Sequence, residues 1–256
     1  VASIFVFPMP ISAQDAEQPS IVEQERGLMS RTVVSVFTDS GETRLAKMNP
    51  DPVFRYGDEA QKIGDSTIWI WMDAGRPVAI QKIEVNKYLE PVGWTYCFCA
   101  LSDRLVEVKW PNVDQPYKSR QPVEFKLLPD APTPVAKARW PLQARALSRK
   151  FSASQVFLDR TEQLRLIPQP IVQYASADNG ILAGYVYGLA TGTNPSIFLI
   201  IELREINGRP VWHYGSARAT ANEMRLSHGA SELRSEARED SPGQFPTWTY
   251  LWMNGR

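Results

Sequence analysis

Alternation of apolar and polar positions with a period of two dominates this chain. Thr67–Met72 is the strongest case. Thr67, Trp69 and Trp71 share one face, Ile68, Ile70 and Met72 the other, and both faces are apolar enough to be buried. Asp73-Ala74-Gly75-Arg76 is a turn signal, after which Pro77–Val85 returns antiparallel. Trp94–Leu101 follows, with Trp94, Tyr96 and Phe98 on one face and Thr95, Cys97 and Cys99 on the other. The same reading predicts strands over Val33–Phe37, Thr43–Met48, Leu105–Trp110, Val123–Leu128, Tyr185–Ala190, Ile197–Leu203, Val211–Ala219, Met224–Ser227 and Thr247–Met253. Asn49-Pro50-Asp51-Pro52 lacks donors at its prolines and has to be an edge, a bend or a connection. Ser231–Gly243, polar and charged, reads as a surface loop.

A helical period appears twice. Ser20-Ile21-Val22-Glu23 is a capping box, and the helix it opens is expected to end near Thr32. Thr133 with Pro134 at the first helical position predicts a second helix running towards Phe151, kinked or broken at Pro141.

The stretch Pro50–Tyr96 recurs 118 residues later. Pro50, Pro52, Tyr56, Ile63, Pro77, Ile83, Glu84, Trp94 and Tyr96 reappear without a gap as Pro168, Pro170, Tyr174, Ile181, Pro195, Ile201, Glu202, Trp212 and Tyr214. Nine identities in 47 positions compare with roughly three expected from ordinary residue usage. The pattern predicts a tandem duplication. Its units are residues 20–128 and 135–256, joined by a Pro-rich linker at 129–134 and preceded by residues 1–19. The expected fold class is α+β: each unit a helix packed on a mostly antiparallel sheet, β-rich, the two related by a pseudo-two-fold axis like the halves of a homodimer. A monomer with an internal pseudo-dimer is the expected state.

Composition narrows the function classes. Lys plus Arg and Asp plus Glu number 28 each, so no basic surplus points to nucleic acid. Residues 1–13, VASIFVFPMPISA, are apolar and uncharged, like the back half of a secretory signal peptide with Ala13 or Ala16 before the cut. Export to the periplasm or cell envelope is the expectation. No run is long enough for a membrane span. Cys97 and Cys99 are the two cysteines; a strained bridge and two small buried thiols are both compatible with their spacing.

Candidate chemistry is sparse. Glu84 and Glu202 stand at matched strand positions, and two carboxylates meeting across a pseudo-two-fold would split their pKa values into an acid and a base. Trp94, Trp212, Tyr96 and Tyr214 are core pillars or, in a groove, ligand-binding aromatics. His213, aligned with Thr95, is a further ligand-binding candidate, and it and His228 lack metal spacing. No metal site, cofactor site or catalytic motif is predicted.

Several runs carry a resemblance: Pro168-Gln-Pro170 through Gly192-Thr-Asn-Pro195, Leu199-Ile-Ile-Glu202, Trp212-His-Tyr214, Leu128-Pro129-Asp130-Ala131-Pro132 and Arg165-Leu-Ile-Pro-Gln-Pro170. Over most of residues 20–250 the chain resembles a family of uncharacterised exported proteins of planctomycete bacteria. The resemblance implies an exported bacterial protein and assigns no activity. The reading that follows is a soluble exported module that binds an unknown protein or small molecule. The alternatives are a hydrolase using Glu84 and Glu202, and a carrier of an apolar ligand lined by residues such as Trp69, Trp71 and Tyr185.

Overall fold

The computed structural model describes residues 20–87, 93–241 and 243–253. The leader expected at residues 1–19 lies outside them. The first part of the chain forms α1 (Ile21–Met29), β1 (Val33–Phe37), β2 (Thr43–Leu45), β3 (Lys47–Met48), β4 (Phe54–Asp58), β5 (Ile63–Asp73), β6 (Arg76–Asn86), β7 (Gly93–Ala100), β8 (Val106–Lys109), β9 (Tyr117–Lys118) and β10 (Lys126–Leu127). The second forms α2 (Trp140–Ser148), β11 (Phe151–Phe157), β12 (Arg160–Leu166), β13 (Val172–Ser176), β14 (Ile181–Thr191), β15 (Asn194–Ile206), β16 (Arg209–Arg218), β17 (Glu223–His228), β18 (Ser231–Glu236), β19 (Gly243–Gln244) and β20 (Trp248–Met253).

The expected α+β class is overturned. Among the described residues strands take 55%, and the α-helices are two of nine residues each. This is a mostly-β fold of curled antiparallel sheets rather than a pair of helix-plus-sheet units. The helices are short for local reasons. The capping box forms as predicted, with Ser20 Oγ accepting from the Glu23 amide and Glu23 Oε2 accepting from the Ser20 amide at 2.8 Å, but α1 stops at Met29. Pro141 does not kink a long helix. Its missing N–H is tolerated only in a first turn, so α2 begins around it and Pro134 stays outside.

The same ladder is built twice. β4 pairs β5 through Phe54↔Ile68, Arg55↔Thr67 and Tyr56↔Ser66; β13 pairs β14 through Val172↔Val186, Gln173↔Tyr185 and Tyr174↔Gly184, every number raised by 118. β5–β6–β7 and β14–β15–β16 agree in the same way, down to the irregularity at Met72↔Pro77 and Ala190↔Pro195. Glu84 faces Thr95, and Glu202 faces His213. The double-proline segments also match. Asn49 and Val53 donate to the Ile70 and Ile68 carbonyls, Ile167 and Ile171 to those of Gly188 and Val186. Each segment is the bend by which one chain leaves and rejoins a single edge, as β3 then β4 on β5 and as β12 then β13 on β14.

The outermost strands are exchanged. β10 lies on β16, with Lys126 opposite Tyr214 and Leu127 opposite His213. β20 lies on β7, with Leu251 opposite Tyr96 and Trp252 opposite Thr95. Each half therefore borrows its last strand from the other. The contacts between halves are reciprocal as well. At one hairpin tip the Ala74 carbonyl accepts from Ser176 Oγ at 2.5 Å; at the other, Thr193 Oγ1 donates to the Gly57 carbonyl at 2.8 Å. Gly75 is at φ +80°, and a Cβ there would stand 2.8 Å from the Ala175 carbonyl oxygen. One core mixes both halves, with Trp69, Trp71 and Phe98 in the same cluster as Phe198, Ile200 and Ala217. A second gathers Leu147, Phe151, Tyr187 and Trp212 under α2.

One core group breaks the likeness. Glu25, on the buried face of α1, is 0% exposed and aligns with Ala144 of α2, where Gln143-Ala144-Arg145-Ala146-Leu147 parallels Gln24-Glu25-Arg26-Gly27-Leu28 at an offset of 119. Thr67 Oγ1 donates to its Oε2 at 2.8 Å, and Oε1 is buried without a partner. Burial pushes its pKa from 4.5 up to about 7, the Thr67 bond opposing. The folded state therefore holds this proton more tightly than the unfolded one. Stability from this group is full below about pH 4.5 and is lost as pH rises through about 7. Urea denaturation at pH 5 and pH 8 is expected to show Glu25→Gln flatter with pH than the parent. The parent loses about 3 kcal/mol of this contribution over that range, at about 1.4 kcal/mol per pH unit.

Candidate functional site

Glu84 and Glu202 sit at the ends of matching rows. Trp252, Thr95 and Glu84 face one another across β20, β7 and β6; Leu127, His213 and Glu202 do so across β10, β16 and β15. Directly opposed residues share a face, so each row opens towards the other half. The two places are equivalent in position and opposite in content.

The Glu202 place is filled. Tyr174 donates its hydroxyl to Glu202 Oε1 at 2.5 Å. Arg76, reaching across from the first half, donates Nε to Oε1 at 3.0 Å, and Arg204 donates Nε to Oε2 at 2.6 Å. Asp103 accepts from Arg76 at 2.5 Å and lies 3.4 Å from Arg204. Both guanidinium groups lie over the Phe125 ring, at 4.7 and 4.2 Å from its centroid. Two glycines make the cluster fit. A Cβ on Gly184 would come within 2.2 Å of the Tyr174 ring, and one on Gly215 within 3.0 Å of Phe125. Two cations and two anions balance, and Glu202 has no solvent exposure. Burial, and then the Glu202 charge, raise the Tyr174 pKa well above the ordinary tyrosine value, so its hydroxyl stays a donor.

The Glu84 place is open. Tyr56 stands at the position equivalent to Tyr174 and donates its hydroxyl to Glu84 Oε1 at 3.1 Å. Asn194 replaces Arg76, Asn86 replaces Arg204, and Ala221 replaces Asp103. Tyr250 takes the place of Phe125 on the exchanged strand. The shorter side chains leave a pocket of about 240 Å³ whose lining includes Glu84, Asn86, Thr95, Asn194, Tyr250 and Trp252. Lys82 closes its floor. Its ammonium meets Glu84 Oε1 at 2.8 Å and donates to the Pro195 and Ala219 carbonyls at 2.9 and 3.0 Å. All three of its protons are thereby committed. Burial works against this cation, but the charge and hydrogen bond of Glu84 together with the neighbouring cysteines outweigh it, and its pKa lies above the usual lysine value. Lys82 is a strut between the halves rather than a nucleophile.

Of the residues singled out from sequence, Glu84 alone faces the open pocket as a charged acceptor, and it shares no partner with Glu202. Trp94 is half-buried. Tyr96 and Trp212 are core residues, and Tyr214 packs on Phe151 with ring centroids 5.3 Å apart. Burial raises the Tyr96 pKa to about 12. His213 is directed at its own strand, Nδ1 lying 3.1 Å from the Val211 carbonyl, and burial lowers its pKa. Cys97 and Cys99 are free and buried, with Sγ atoms 3.9 Å apart, and Cys97 lines the pocket. Trp69, Trp71 and Tyr185 belong to the cores, divided between the two clusters. Sequence reasoning missed Asn86, Asn194 and Trp252. Their signal lies in differences between aligned positions, Asn86 against Arg204 and Asn194 against Arg76, rather than in identities.

Among the described residues no three His, Cys, Asp or Glu side chains gather as a metal ion requires, and no helix is long and apolar enough to cross a membrane. No protein family, curated protein or solved structure matches the chain.

Removing one cation from the filled cluster leaves buried carboxylate charge short of a partner. Arg76→Ala is expected to cost about 3–5 kcal/mol in chemical denaturation, whereas Asn194→Ala at the equivalent place costs less than about 1.5 kcal/mol, because only a neutral amide is lost there.

Proposed function

We propose that this chain is a binding module, built by internal duplication and exported from a bacterial cell, whose ligand site is the open one of two equivalent places. The duplication rests on the nine identities, on ladders that agree residue for residue at an offset of 118, and on the reciprocal tip contacts. Exchanged last strands and paired contacts are what two subunits of a dimer would show, so the working unit is a monomer carrying its own partner. Export is supported by the apolar, uncharged run at 1–13 and by the resemblance to exported proteins.

The observation that carries the reading is the contrast between the two places. One scaffold position is closed by two arginines, an aspartate and a phenylalanine. Its equivalent keeps the glutamate and tyrosine, sheds the filling groups and gains exposed aromatic surface. A concave site of this kind, apolar-walled with a few convergent polar groups, is the usual form of a small-molecule site. The assignment of Glu84 and Glu202 to different places, with Glu202 sealed between guanidinium groups, favours binding over hydrolysis by paired carboxylates.

The test is to close the pocket with the side chains its twin uses. A fragment library is screened by ligand-observed NMR against the parent and against the double variant Asn86→Arg, Asn194→Arg. The expected outcome is a set of fragments that bind the parent and are lost from the variant, whose fold is checked by its circular dichroism spectrum. If every fragment that binds the parent still binds the variant, the pocket is not the site.

A further inference from the structure

The filled place is a template for the occupant of the open one. It shows what lies against this glutamate and tyrosine when the slot is occupied: flat, donor-edged groups stacked on an aromatic ring. Charge bookkeeping fixes the next property. The filled cluster holds Glu202 and Asp103 against Arg76 and Arg204 and is neutral. The open place holds Glu84 against Lys82 and is neutral before anything enters. A cation would add an uncompensated charge on partly desolvated ground, and an anion would meet Glu84 with every Lys82 proton already committed. The occupant is therefore neutral.

The hydrogen bonds still unmade fix its edge. Both contacts to Glu84 fall on Oε1, which leaves Oε2 to the pocket. Asn194, 4% exposed, spends its amide N–H on Gln61 at 3.3 Å while its Oδ1 is buried without a partner. Two acceptors thus wait for two donors, and a buried acceptor left unpaired costs about 1–3 kcal/mol. The wall is aromatic. Trp252 is 54% exposed in the same cross-strand row as Glu84, about 10 Å of sheet away at two strand spacings. Tyr250 is one step along the same strand face.

Resting on the proposed binding function, we infer that the open place takes a neutral, flat amino-heterocycle presenting two neighbouring N–H donors, the edge found in guanine-like and pterin-like rings. The donors meet Glu84 Oε2 and Asn194 Oδ1, and the ring stacks beside Trp252. Such an edge is the uncharged counterpart of the guanidinium groups that close the twin.

Calorimetric titration with guanosine, inosine, N-acetyl-arginine amide and methyl glucoside tests this. Inosine lacks the 2-amino group and leaves one acceptor unpaired. Guanosine is expected to bind, inosine at least about tenfold more weakly, and the cation and the sugar more weakly than guanosine. Trp252→Ala, at an exposed position that the fold tolerates, is expected to weaken guanosine by about tenfold. The Asn86→Arg, Asn194→Arg variant is expected to abolish its binding. Equal binding of guanosine and inosine, or guanosine binding untouched by the double variant, overturns the inference. So does tighter binding of the arginine amide or the sugar, but if the double variant abolishes that binding the pocket remains a ligand site and only the ligand class falls. If none of the four probes binds the parent the heterocycle inference fails, and the fragment screen separately decides the binding function.

Discussion

Neither half of this molecule can finish its own sheet. The edge of β7 is completed by β20 from the end of the chain, and the edge of β16 by β10 from its middle. An open strand edge exposes unpaired N–H and C=O groups and invites association. Exchange covers the β7 and β16 edges at once and places the borrowed strands beside the rows that end in Glu84 and Glu202. The position of both places, filled and open, follows from that exchange. So does the asymmetry of their walls: β10 is short and brings Leu127, with Phe125 just before it, whereas β20 runs from Trp248 to Met253 and brings three aromatic residues to one face.

Stability and chemistry separate along the same line. The residues identical in both halves are mostly scaffold: prolines at the bends, isoleucines in the ladders, Trp212 and Tyr96 in the cores. The glutamate–tyrosine pair is shared as well, but its meaning is set by neighbours that differ. Where Arg76 and Arg204 approach, the pair is a buried electrostatic knot. Buried ion pairs do little for net stability beyond what a well-packed apolar cluster would do, yet breaking one is costly. The knot thus locks one face of the contact between halves. Where Asn194 and Asn86 approach, both contacts to the glutamate fall on Oε1, and Asn194 Oδ1 is buried without a partner.

Much of this was legible before the fold was known. Period-two alternation located β5, β6, β7, β14, β15 and β16, and the offset of 118 anticipated their equal registers. Strands at Val123–Leu128 and Thr247–Met253 were legible too, but not which sheet each joins, because strand exchange leaves no local mark. β18 was read as a loop because Ser231–Glu236 carries no apolar alternation; it is a polar strand held by pairing with β17 rather than by burial. The α+β expectation failed for a similar reason. A capping box and a helical face establish that a helix starts, and the length that decides fold class depends on what the sheet leaves room for.

The matched glutamates show why position alone misled. A sequence pair at equivalent places suggests two groups brought together, as in a catalytic dyad. In a body whose halves are related like subunits, equivalence instead guarantees two separate copies of one environment unless both lie on the axis itself. Glu84 and Glu202 are such copies, each with its own tyrosine, the first with one cation and the second with two. The difference between the two places comes from divergence at the neighbouring positions. The substitution of two asparagines for two arginines and an alanine for an aspartate removes one net positive charge; Lys82, standing where the other half has Ile200, restores it from beneath. The space above is then both empty of protein and electrically balanced, so that under the proposed binding role shape and hydrogen bonding, and not charge, would select the ligand.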